Sequence, residues 1–259
     1  MYPRDIKIVE NPKEIFEMIA PMKINQRRNL LSAILIIITA SGEGSELYET
    51  YRSRLFDLGV EYNAIQAENK KTETQERNWV TMEELKKITR SRVRQSPGNQ
   101  LSLIAALYTY NVPCRLDYYD CEIVKSDEGL SENKNYLLIK SAKEKEFIFN
   151  DYKTFNKYGQ SRVPVSKNLN TVINKFLKLN PERKYLLQQK RQPLPLSRNQ
   201  LGKMIPVVFA KTGKQVSINI IRHCFISQNV NLEEIKKLHQ LSKDMHHSTT
   251  EQINYAKFD

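Results

Sequence analysis

The sequence predicts a mainly α protein with a small antiparallel β-sheet, an α+β chain in two parts: a helical N-terminal domain over residues 1–77 and a larger domain over 78–259. Three observations lead there. Helical periodicity, with capping residues ahead of it, runs through most of the chain. Three short runs rich in β-branched and aromatic residues cluster between residues 136 and 166. A polar stretch without apolar periodicity, Glu68 to Asn78 (ENKKTETQERN), reads as a linker or exposed helix end between the two parts. With 259 residues the chain can bury one large core or two modest ones.

Asn11 with Pro12 just inside reads as the cap and first turn of a helix over residues 11–20. A second helix over 25–40 contains the most hydrophobic run, Leu30 to Ala40 (LLSAILIIITA). That run falls short of the roughly 18–20 residues that span a bilayer, so it predicts a buried helix. Its position and flanks also argue against a signal segment. SGEGS at 41–45 breaks the helix, and a third follows from Glu46 to Leu58, with Leu47, Tyr51, Leu55 and Leu58 on one stripe and Gly59 closing it.

In the second part, Thr81 and Glu84 have the spacing of a capping box for a helix over 79–94. Pro97 opens an apolar helix that ends before Asn111 and Pro113. The runs YLLIK (136–140), EFIFND (146–151) and RVPVS (162–166) predict the sheet. Asn168 to Leu179 is amphipathic, and after it Arg183, Lys184, Lys190, Arg191, Arg198 and Lys203 gather in a basic loop around two prolines. Ser197 caps a short helix that Pro206 should kink or restart. Ile218, Ile221 and Phe225 then mark one helix, and Leu232, Ile235, Leu238 and Leu241 the next.

Lys and Arg number 41 against 29 Asp and Glu, a net charge of +12, which calls for a polyanionic partner held by salt-sensitive contacts. Charge alone does not choose between nucleic acid and a membrane surface. Cys114, Cys121 and Cys224 are too few and too irregularly spaced for a disulfide framework or a zinc site, which fits a reducing, intracellular setting. His246 and His247 are adjacent but point apart on a helix or turn, and nothing completes a metal site around them. TGKQ at 212–215 lacks the residues of a phosphate-binding loop, so neither nucleotide nor metal cofactor is expected.

What remains is an ordered set: Arg115 after the apolar helix, a Lys-Thr pair at Lys153 between two strands, Asn219, Arg222 and His223 in NIIRH, His247 in MHHS, and Tyr255 eight positions beyond His247. In this order and spacing the chain resembles the tyrosine recombinases, the phage-integrase family, over about residues 79 to 259. The resemblance implies that Tyr255 attacks a DNA phosphate to form a 3′-phosphotyrosyl intermediate. Arg115, Arg222 and His247 would stabilise the charge that develops on the phosphate oxygens, and Lys153 would protonate the leaving 5′-oxygen. Lys157 rivals Lys153 for that role. Arginine suits the task because its planar fork binds two phosphate oxygens and keeps its charge at any working pH.

Three departures stand out, the first being His246 where the family usually has a glycine before its histidine. The family's first histidine of its H-x-x-R box is Asn219 here, which cannot act as a base near neutral pH, leaving Asn219 and His223 as possible supporting residues. The glutamate often found three positions after the first arginine is Tyr118. The resemblance further implies double-stranded DNA as the partner, no membrane, a monomer or dimer when free and a homotetramer on DNA, with the N-terminal helices closing on the duplex. The Lys-Thr pair and the few residues after Tyr255 are nearest in flavour to integrases of virophages and large DNA viruses. A type IB topoisomerase-like activity and a catalytically inactive DNA-binding relative remain alternatives.

Overall fold

A computed structural model describes residues 9–42, 45–246 and 248–249, arranged as two compact units, Met1–Thr72 and Glu73–Asp259. In the first, α1 (Pro12–Ile19) begins where Asn11 accepts a hydrogen bond from the Glu14 amide. It packs with α2 (Ile24–Ser41) and α3 (Ser45–Ala67) around Ile15, Ile19, Leu31, Ile34, Ile38, Tyr51 and Leu58. Gly42 turns the chain after α2 in the left-handed conformation, at φ +71, that glycine adopts without a Cβ penalty.

Two expectations fail in this unit. The hydrophobic run is not buried on all sides: Leu31, Ile34 and Ile38 are, whereas Ile36 is 70% and Ile37 44% exposed. A single packed neighbour covers only one stripe of a helix. No helix among the described residues is long and apolar enough to cross a membrane. Gly59 does not end α3, which continues to Ala67. Glycine in a helix interior costs only about 1 kcal/mol, less than the surrounding helix formers supply.

The second unit opens with α4 (Glu73–Asn78), so part of the polar stretch is helical. Then comes α5 (Met82–Gln95), whose cap Thr81 accepts from the Glu84 amide. The apolar α6 (Gln100–Tyr110) starts at Asn99, which accepts from the Leu101 amide, and not at Pro97, which sits in the preceding turn. From Ser102 to Thr109 every residue of α6 is buried, which makes it the central helix of the unit.

The sheet has strand order β1-β2-β3-β4, formed by Glu122–Val124, Tyr136–Ile139, Lys145–Phe149 and Ser161–Pro164. The three expected strands pair antiparallel. A three-residue fourth, β1, joins β2 in parallel and makes the sheet mixed. Between β3 and β4 lies the single turn α7 (Phe155–Tyr158).

After the sheet come α8 (Lys167–Leu179), α9 (Arg198–Val208), α10 (Ile218–Asn229) and α11 (Leu232–Asp244). The helix α9 runs through Pro206 to Val208 without restarting. Near the last turn the missing amide removes only one intrahelical bond. The buried stripe of α10 is Ile220, Ile221 and Cys224, with Ile218 and Phe225 only half-buried. On α11 the apolar stripe is largely uncovered among the described residues, with Leu232 at 41%, Ile235 at 39% and Leu241 at 48% exposure.

Candidate functional site

Arg115 lies in the loop after α6, and its backbone is fixed from below. The hydroxyl of fully buried Tyr108 donates to the Arg115 carbonyl at 2.9 Å. Asn111 spans from this loop to the end of β4, donating to the Pro164 carbonyl and accepting from the Ser166 amide. Tyr118 is 1% exposed, and its ring packs edge-on against Tyr108, Phe147 and Phe149. At this position the chain therefore supplies core packing rather than a carboxylate.

Arg222 stands on α10, started by Ser217, whose hydroxyl accepts from the Ile220 amide. Ile221 and Cys224, both fully buried, hold that helix in the core. Arg115 and Arg222 are both half-buried, and both act electrostatically on Asp117. Neither guanidinium has a hydrogen bond or ion pair among the described residues, so both forks are available to an anion.

Asp117 is 7% exposed. Burial pushes its carboxyl above the usual range, while Arg198, Arg115 and Arg222 pull it down and Asp151 raises it. Arg198, the first residue of α9, reaches Asp151 at 2.9 Å and lies over the Tyr119 ring at 5.0 Å. Tyr119 donates its hydroxyl to the same carboxylate at 2.8 Å.

Asn135, fully buried, ties these pieces together. Its amide donates to the Asp117 carbonyl at 3.1 Å, the Asp120 carboxylate at 3.1 Å and the Asp151 carbonyl at 3.0 Å. Its oxygen accepts from the Asn150 and Asp151 amides, each at 2.9 Å. The loop that follows Arg115 is thereby locked to the base of the β3–β4 hairpin. Two residues past Asp151, Lys153 is exposed in a turn. Lys157, on α7, is also exposed and lies 5.0 Å from the Tyr158 ring.

Asn219 and His223 are both exposed on α10, one turn apart. Asn219, three positions before Arg222, shares its side of the helix. His247 and Tyr255 lie outside the described residues. No cluster of His, Cys, Asp or Glu with the makings of a metal site occurs among the described residues. Arg115 and Arg222 thus share Asp117 as an electrostatic neighbour, and Asn135 ties the loop after Arg115 to Asp151, two residues before Lys153.

Asn135 and Asp151 are members that sequence reasoning missed, because their contacts span 15 or more residues of chain. Arg198 was legible only as one residue of the basic loop.

No protein-family model matches the chain, and no curated protein matches it. Among solved structures it is similar to the Tn1549 transposon integrase in complex with transposon right end DNA, at a TM-score of 0.40 and 12% identity. That likeness covers 100% of this chain and 91% of the other. It is too distant to carry any residue's role from one chain to the other.

Proposed function

We propose that the protein is a tyrosine recombinase that cleaves and rejoins double-stranded DNA through Tyr255. The observation that carries this reading is the pair of half-buried arginines, Arg115 and Arg222, both with guanidiniums unengaged among the described residues and both acting electrostatically on Asp117. Donors fixed in advance and aimed at the oxygens of a phosphodiester stabilise the charge that builds up during attack.

In this mechanism the Tyr255 phenol oxygen attacks the scissile phosphorus while Arg115, Arg222 and His247 hold its non-bridging oxygens. Lys153 delivers a proton to the departing 5′-oxygen, leaving the 3′-phosphate on the tyrosine. The phosphotyrosyl ester keeps the energy of the broken bond, so a 5′-hydroxyl can rejoin it without nucleotide or metal. Asn219 can hydrogen-bond a phosphate oxygen but is no base, and His223 is a supporting residue. Exchange between two duplexes requires four protomers, so a homotetramer forms on DNA. The helical N-terminal domain closes on the duplex.

Asn219 also favours a second reading, a DNA-binding relative that has lost strand cleavage. A nicked suicide duplex, from which the broken end diffuses away, separates the two. Wild type should accumulate a covalent protein-DNA adduct on denaturing gels, and Tyr255→Phe should form none while binding the duplex equally well. An adduct formed by Tyr255→Phe, or none formed by wild type, would sink the recombinase reading. Relaxation of supercoiled plasmid without any joined product would mark a topoisomerase-like enzyme instead.

A further inference from the structure

We propose that Arg198 is a positioning residue for Lys153, acting through Asp151: its guanidinium holds the entry of the turn from which the lysine reaches the leaving oxygen. The inference rests on reading Lys153 as the general acid of strand cleavage. It goes further by giving a task to an arginine outside the phosphate-binding pair.

The turn between β3 and β4 is bonded mainly to itself. The Phe155 amide donates to the Tyr152 carbonyl at 3.0 Å, the Lys157 and Tyr158 amides to the Thr154 carbonyl, and the Gly159 amide to the Phe155 carbonyl at 2.7 Å. The Tyr152 hydroxyl closes the loop on the Gly159 carbonyl at 2.8 Å, with the Phe155 ring edge-on to its own. Among the described residues, no hydrogen bond or ion pair runs from residues 152–159 to another element, and of the turn's aromatic rings only Tyr152 packs against the core.

The turn is therefore placed from its neck. Across the neck the Gln160 amide donates to the Asn150 side chain at 3.0 Å, and on the entry limb Asn135, Tyr119 and Arg198 converge on Asp151. Asn135 takes both backbone groups, accepting from the Asp151 amide at 2.9 Å and donating to its carbonyl at 3.0 Å. Among the described residues the carboxylate is held only by the Tyr119 hydroxyl at 2.8 Å and by Arg198 Nη2 at 2.9 Å. The same Nη2 reaches the Asp151 carbonyl at 3.3 Å, so one guanidinium grips the residue by side chain and backbone together. It also lies 5.0 Å from the centre of the Tyr119 ring, so the two holders of the carboxylate steady each other.

The bonds from the buried Asn135 amide locate the Asp151 backbone, and the carboxylate bonds add a second point of attachment. Two points fix an orientation that one leaves free. Lys153 carries its ammonium on a long side chain two residues further on, so a small rotation at the neck is magnified at Nζ. A misplacement of about 1 Å can cost a reaction about 10²-fold. The Arg198 and Asp151 side chains are 45% and 43% exposed, and an ion pair that open to water adds little to global stability. Positioning and folding are thereby separable at Arg198.

The test is single-turnover cleavage by the full chain, at saturating protein, of a nicked suicide duplex and of the same duplex with sulfur in place of the 5′-bridging oxygen, which leaves without a proton. Arg198→Ala should cut the oxygen substrate about tenfold to a hundredfold more slowly than wild type and the sulfur substrate at nearly the wild-type rate, with an almost unchanged unfolding temperature. In the Lys153→Ala background, Arg198→Ala should cost nothing more on the oxygen substrate, because its effect passes through the lysine. If Arg198→Ala does not fold, Arg198→Lys keeps the charge but not the fork and should likewise be slowed on oxygen alone, by a smaller factor.

Equal slowing on both substrates, or a further loss in the Lys153→Ala background, would overturn the proposal. So would an unchanged saturating rate with weaker duplex binding, which would make Arg198 one more phosphate anchor of the basic loop. Failure of the underlying reading looks different. Wild type then forms no adduct on either substrate, and the lysine and its positioning residue fall together. An adduct formed by wild type, with Arg198→Ala slowed but not rescued by sulfur, keeps the recombinase reading and removes only this one.

Discussion

The arginine pair and the β3–β4 hairpin present positive groups on opposite kinds of support. Arg115 follows the largely buried α6 and is pinned through its carbonyl by Tyr108, while Arg222 rides on a helix whose Ile221 and Cys224 are fully buried. Lys153 sits on an exposed turn, whose segment is tied by the bond from the Tyr152 hydroxyl to the Gly159 carbonyl and by the backbone bonds of its own single helical turn. The difference matches two chemical tasks. Charge stabilisation needs donors that do not reorganise during the reaction. A proton donor must follow an oxygen that moves away as its bond breaks, and a long side chain on an exposed turn has that reach.

This contrast can be broken most sharply at Lys153. Lys153→Ala should slow strand cleavage by roughly 10²–10⁴-fold, the usual worth of a general acid. A substrate with sulfur in place of the 5′-bridging oxygen needs no proton to leave, so it should restore most of that rate to Lys153→Ala and none to Arg222→Ala. If the sulfur substrate rescues Lys157→Ala instead, the acid is the other lysine of the turn.

The next largest effect belongs to the joint between the two regions. Asn135→Ala strips partners from the Asp117 and Asp151 carbonyls and from the Asn150 and Asp151 amides. Unsatisfied buried groups of this kind cost about 1–3 kcal/mol, which thermal or urea unfolding would register. Cleavage should fall as well, because the Arg115 loop and the hairpin lose their common register. A variant as stable as wild type would show that Asn135 is no joint. The smallest effect is local: Ser217→Ala removes the cap of α10 and should cost about 1 kcal/mol, with DNA affinity little changed.

The sequence makes legible what depends on neighbours along the chain. Caps at Asn11, Thr81 and Ser197 stand where the short polar residues predict them, because capping is decided within three residues. The three antiparallel strands follow from their β-branched and aromatic composition, whereas β1, three residues long, is too short to carry a pattern.

What the sequence hides is set by distance. The carboxylate sought three positions beyond Arg115 is replaced by a core tyrosine, and a buried acid, Asp117, stands one position earlier, its burial set by contacts far along the chain. Coverage is hidden in the same way. The stripes of α2 and α11 read as core-facing, yet Ile36 and Leu241 are exposed, because periodicity specifies a face and not what lies against it.

The central claim is that Arg115 and Arg222 grip one phosphate during cleavage. A double-mutant cycle on single-turnover cleavage of the suicide duplex tests it directly, using Arg115→Ala, Arg222→Ala and the double variant. Each single change should cost roughly 10²–10³-fold, with duplex affinity at fixed salt nearly unchanged. The double variant should lose far less than the product of the two, because a phosphate robbed of one donor has less left to lose. Strictly multiplicative losses, or losses in binding equal to those in cleavage, would contradict the account and mark the two arginines as separate anchoring residues.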